Sequence, residues 1–159
     1  MAGFTLKQNQ RDPLDTALLR TWYHSVTDSY SPTAATVEKF TITGGPILAH
    51  LLLGVVDTTL ETTASNVSVV VNPTTGSSDD IATTADATGA AAGDYLIVEG
   101  DGTAVVVAAG VRIFPLGGPV PFLVPTGGID IVHAAAMTGT LHWELWWEPL
   151  SENASVVAN

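Results

Sequence analysis

Residues 140–150, Thr-Leu-His-Trp-Glu-Leu-Trp-Trp-Glu-Pro-Leu, constrain what this chain can fold into more than any other stretch. Leu141, Trp143, Leu145 and Trp147 alternate with His142, Glu144, Trp146 and Glu148. A period of two is the pattern of a strand with one buried face and one wetter face. Three of the four tryptophans fall here, and each large aromatic buries roughly 150–250 Å², so the ladder is expected to form the densest part of the core. Pro149 ends it, because proline has no N–H to donate. The alternation puts Trp146 on the outer face beside two glutamates. There its ring either lies across a neighbouring strand or meets another subunit, since aromatics concentrate in interface cores.

The chain before this ladder reads as strand after strand from about residue 36. Residues 36–42 alternate, but Val37 and Lys39 fit one strand with Phe40 and Ile42 only if a bulge intervenes, which leaves the register open. Residues 47–56 are almost wholly apolar and fit either a buried helix or a strand buried on both faces. The preceding Gly44-Gly45 pair, Gly54 and Val55-Val56 favour the strand, a central one covered by a second sheet and by a partner. Further strands are expected over 58–63, 66–71, 79–82, 111–116, 120–124 and 128–133, with an Ala/Thr/Gly-rich link over 82–93. Residues 94–99 and 103–107 flank Gly100-Asp101-Gly102, a hairpin signal. Nine or ten short strands between Gly/Pro turns predict an all-β fold, an antiparallel β-sandwich or jelly-roll-like barrel, over residues 36–159.

Residues 1–35 read differently, as an N-terminal arm. Asp12 as N-cap, Pro13 at the first helical position and Asp15 in the first turn predict a short helix over 13–23. Leu14, Ala17, Leu18 and Trp22 share one side of it. Such a segment packs on its own domain or reaches across to a neighbour. Composition bears on that choice. Only 13% of residues are charged, about half the usual ~25%, so a soluble chain is expected to hide surface in an oligomer. The candidate interface residues are Leu14, Leu18 and Trp22 in the arm, His50 and Leu52 in the apolar strand, and Trp143 and Trp146 in the ladder.

Charge narrows the partners. Residues 1–20 carry Lys7, Arg11 and Arg20 against Asp12 and Asp15, while the remainder has Lys39 and Arg112 against fourteen acids. A body of that sign repels phosphate, so nucleic-acid binding is not expected. No apolar run reaches the ~18–20 residues of a membrane span, and the first residues lack the basic start and apolar run of a signal peptide. The expectation is synthesis in a cytoplasm without classical export, and no membrane partner.

Chemistry is thinly represented. With no cysteine, disulfides and thiolate metal sites are excluded. His24, His50, His133 and His142 include no pair at metal-binding spacing, although His142 and Glu144 share a face and could join His133 in a metal centre of a β-barrel enzyme. Neither Asp79-Asp80 nor the acids around Gly100 fit a spaced calcium loop. Nucleophile elbow, phosphate-binding glycine loop and H-E-x-x-H are all missing from the sequence. No enzyme activity and no cofactor are expected.

Residues 40–47 (Phe-Thr-Ile-Thr-Gly-Gly-Pro-Ile), Val71-Asn72-Pro73-Thr74, Pro125-Thr126-Gly127-Gly128-Ile129 and Trp147-Glu148-Pro149-Leu150 resemble small structural proteins of tailed-bacteriophage virions. The similarity covers roughly residues 38–158 and leaves the arm outside. It implies a β-sandwich, commonly trimeric, serving as a capsid decoration (cement) protein, or else as a fibre or spike module that binds a receptor or glycan through aromatics such as Trp146 or Tyr95. It implies self-association and contact with the major capsid protein on the outer capsid surface, and brings no catalytic residues. A strongly acidic body suits that outer surface better than a DNA-facing lumen.

Overall fold

A computed structural model describes residues 22–61, 66–100, 102–108 and 120–159. The described chain is all-β. Its strands are β1 (Tyr23–Val26), β2 (Ala35–Thr43), β3 (Ile47–Thr58), β4 (Asn66–Pro73), β5 (Asp79–Asp86), β6 (Tyr95–Val98), β7 (Val106–Ala108), β8 (Phe122–Val124), β9 (Gly127–His133), β10 (Thr140–Pro149) and β11 (Ser155–Ala158). They form two sheets. One has the order β1-β10-β3-β6-β7, with β8 also on β3, and the other the order β11-β2-β9-β4-β5. Every pairing between these strands is antiparallel. Inward side chains of both sheets meet in one core cluster that includes Phe40, Ile42, Val69, Ile129 and Ile131 from one side and Ile47, Leu52, Leu96, Trp143 and Leu145 from the other. Among the described residues the sheets do not close into a barrel, which agrees with the sandwich expectation.

The alternation in β10 works as the sequence implies. Leu141, Trp143, Leu145 and Trp147 point inward and are buried, and the residues between them face outward. β3 is the central strand alongside it, which settles residues 47–56 as strand rather than helix. Its register against β10 slips twice. Trp146 pairs with Leu51 but Trp147 with Ala49, leaving His50 as the extra residue. Thr140 pairs with Thr58 but Leu141 with Val56, leaving Asp57 extra. Such bulges add one residue to one strand and re-aim side chains; here they place His50 beside Leu51, both outside the buried set. β2 has the bulge that its pattern requires, at Lys39, between the pairs Glu38–Asp130 and Phe40–Ile129. β6 and β7 pair as the hairpin signal implies. The turn from β2 to β3 uses Gly44 at φ +73°, a conformation that glycine adopts without steric cost.

The start of the sandwich lies earlier than residue 36. Tyr23, expected as the last residue of the helix, instead opens an edge strand on β10, in which His24 lies opposite Trp146 and Ser25 opposite Leu145. Backbone amides, not a local period, specify this short strand. Leu14 and Leu18, and the rest of the expected helix before Trp22, lie outside the described residues, as do residues 62 and 63 of the expected strand 58–63 and the strand expected over 111–116. Among the described residues no helix is long and apolar enough to cross a membrane.

A polar group is sealed at one end of the core. Thr27 bonds Trp143 twice: its N–H donates to the Trp143 carbonyl (2.9 Å), and its Oγ1 accepts from the Trp143 N–H (2.9 Å). Trp143 Nε1 donates to Tyr30 Oη (3.1 Å), which lies 2.9 Å from His133 Nε2. The Lys39 ammonium sits 3.4 Å above the centre of the Tyr30 ring, a cation–π contact. Burial pushes the His133 pKa down to about 4, and nearby Lys39 pushes in the same direction. Burial likewise lowers that of Lys39 and raises that of Tyr30. His133 is thus neutral near pH 7, its Nε2 shares a hydrogen bond with the Tyr30 hydroxyl, and its Nδ1 is buried without a hydrogen-bond partner.

Candidate interaction surface

The outward face of the six-stranded sheet gathers most of the residues that sequence reasoning singles out. Cross-strand pairing arranges it in rows: Glu148, Leu48 and Leu123; His24, Trp146 and Leu51; Val26, Glu144, Leu53 and Ile97; His142, Val55 and Tyr95. The face therefore has two halves. Along β1 and β10 it is imidazole, indole and carboxylate, and along β3, β6 and β8 it is mainly aliphatic. Leu123 is 61% exposed, Leu48, Leu51, Leu53 and Val55 are all partly open to solvent, and Ile97 is buried.

Two indoles lie flat on imidazoles in the first half. Trp146 stacks on His24 of the neighbouring strand, with ring centres 4.2 Å apart and planes at 15°. Trp22 stacks on His50 at 4.4 Å and 16°, yet stays 56% exposed. Only the bulge brings His50 out to meet it. The His50 Nε2 atom is buried, has no hydrogen-bond partner, and lies 3.6 Å from Glu148 Oε1, beyond hydrogen-bond range.

A chain of hydrogen bonds crosses the same half. Ser29 Oγ donates to Asp57 Oδ2 (2.5 Å), and Asp57 Oδ1 lies 2.8 Å from His142 Nδ1. His142 Nε2 is 3.2 Å from Glu144 Oε1, and Glu144 Oε2 is 3.0 Å from His24 Nε2. Both nitrogens of His142 face a carboxylate oxygen. The chain ties the loop after β1, the end of β3, β10 and β1 together, and it holds the Trp146–His24 stack in place.

The sequence-predicted residues divide accordingly. Trp22, His50 and Trp146 come together on this face. Leu52 and Trp143 do not: both are fully buried between the sheets, so they are core residues and offer no contact surface. The alternative of a His133/His142/Glu144 metal centre does not assemble. His142 and Glu144 do bond, but His133 points into the core from the other sheet and meets Tyr30. Among the described residues, no three His, Asp or Glu side chains form a metal-holding group. Sequence reasoning missed Asp57, Ser29 and Leu123. Asp57 is aligned with His142 only through a bulge, which no period announces. No family model, curated protein or solved structure matches the chain.

Proposed function

We propose that this chain is a structural subunit of a tailed-bacteriophage virion, a decoration or cement protein that braces the head from its outer surface. It would act as a homotrimer and against the major capsid protein, using the outward face of the six-stranded sheet. The observation that carries the reading is the composition of that face. A sheet face bounded by water alternates apolar-in with polar-out, yet here Leu48, Leu51, Leu53, Val55 and Leu123 are directed away from the core. Contiguous apolar patches of this kind mark interaction sites. Low charge over the whole chain and the resemblance to virion proteins point the same way. Catalysis has no part in this reading, and neither has a nucleic-acid partner, given the acidic body.

The test has two stages. Light scattering of the purified protein should give three times the 16.5 kDa of one chain, and a clean monomer at all concentrations would count against the trimer. Phage heads assembled without the protein should then rupture at lower temperature than decorated heads; equal robustness would dispose of the cement role. A second reading, a receptor- or glycan-binding fibre module, draws on the exposed ring of Trp22 with Trp146 and Tyr95 on the same face. It requires loss of adsorption to cells when the protein is removed.

A further inference from the structure

The opposite outer face, on the five-stranded sheet, contains a different kind of site. In that sheet β9 lies between β2 and β4, and two rows of outward positions run across the three strands: Glu38, Asp130 and Val70, then Thr41, Gly128 and Asn72. The glycine leaves the middle of the second row without a side chain. The two acids of the first row lean into that space. A Cβ placed on Gly128 would lie 2.6 Å from Glu38 Oε2 and 2.9 Å from Asp130 Oδ1. Two carboxylate oxygens from adjacent strands thus converge on one small gap, although like charges placed directly opposite on a sheet repel each other.

The other oxygen of each acid is already engaged. Glu38 Oε1 accepts from Thr41 Oγ1 and, at 3.5 Å, from Asn159 Nδ2. Asp130 Oδ2 accepts from Asn72 Nδ2 at 3.3 Å. Asp130 is only 7% exposed, and its Oδ1 is buried with no hydrogen-bond donor near it. A buried, unpaired carboxylate oxygen aimed at a second carboxylate is satisfied by a cation between them. The three atoms nearest to that Cβ position all belong to these two carboxyl groups.

We propose that Glu38 and Asp130 bind a hard divalent cation, Ca²⁺ or Mg²⁺, above Gly128. All-oxygen ligation selects this class over zinc or copper, which favour nitrogen and sulfur. With two protein carboxylates the ion keeps most of its water, and the affinity falls in the weak range, a Kd of roughly 10⁻⁴–10⁻³ M. Asp80, which pairs with Val70 at the far end of the row, extends the negative field that attracts the ion. Asn72 and Thr41 act as positioning residues that turn the free oxygens toward each other.

Calorimetric titration of the full chain with CaCl₂ and with MgCl₂ tests this without any variant. One site per chain, together with a Tm that rises with cation concentration as native-state binding requires, is the expected result. No heat and no change in Tm from either ion would overturn it. Among variants, Asp130→Asn and Glu38→Gln should each weaken binding at least tenfold. Gly128→Ala keeps both acids but fills the gap between them, so it should weaken binding as well, whereas Glu144→Gln on the other face should leave it intact. An Asp130→Asn protein that binds as tightly as the natural chain would also refute the site. So would one that is more stable while the natural chain ignores both cations, because the carboxylates would then share a proton.

Discussion

Trp143 sits directly across from Gly54 on the neighbouring strand, and its indole fills the space that a side chain at position 54 would need. A Cβ there would come within 3.1 Å of both Trp143 Cη2 and Leu96 Cβ. Gly54 has no positive φ, so its backbone would accept alanine, and only the packing objects. Gly54→Ala should therefore destabilise the fold by about 1–2 kcal/mol, the overpacking cost less the entropy that alanine recovers. Gly54→Leu should prevent folding. Urea unfolding followed by tryptophan fluorescence reads both.

Trp143 is also the anchor for the loop after β1. The Thr27 side chain is buried, and its Oγ1 is the partner of the Trp143 backbone N–H. Thr27→Val keeps the shape and strands that N–H, which costs about 1–3 kcal/mol. Thr27→Ser keeps the bond and should cost much less. Equal losses in the two variants would show that the methyl group, not the hydroxyl, matters.

His133 makes stability depend on pH in a defined direction. It is 2% exposed, and its pKa falls from 6.5 to about 4 on folding. Between those values the unfolded chain takes up a proton and the native chain does not, so stability is lost as pH falls from 6.5 toward 4. The limit is on the order of 3 kcal/mol. His133→Gln, which retains an acceptor for Tyr30, should flatten the difference in unfolding midpoint across that window. Carboxylates titrate in both proteins and cancel in the comparison.

Much of the fold is legible in the sequence because period two and turn chemistry are local signals. β10 shows its two faces through alternation, and β6 with β7 shows its hairpin through the Gly-rich turn. Legibility ends at the bulges. Lys39, His50 and Asp57 are each an extra residue that shifts the phase of a strand, and the Lys39 case is visible only as a conflict in the pattern. Two of these bulges build the candidate surface, so its hydrogen-bond chain and the Trp22–His50 stack were out of reach of any periodic argument. Likewise β1 is too short to carry a period, and it becomes a strand because β10 offers a free edge. Leu52 and Trp143 show the converse limit. Apolarity marks a residue for burial but does not say whether its own second sheet or a partner covers it.

The outward aliphatic half can be separated from the fold by charge insertion. Leu123 is exposed on β8 and Leu51 is partly so on β3; neither belongs to the core cluster. Surface substitutions away from core and caps usually change stability by no more than about 0.5 kcal/mol. Burying a new carboxylate without a partner in an interface is far more costly. Leu123→Glu and Leu51→Glu should therefore leave the unfolding midpoint of the single chain near that of the natural protein while shifting the light-scattering mass toward 16.5 kDa. A matching charge change on the five-stranded sheet, Val157→Glu at an exposed position of β11, should not shift it. If the mass stays at the oligomer value in both leucine variants, the contact surface lies elsewhere. Loss of mass only in the Val157 variant would move it to the other sheet of the sandwich.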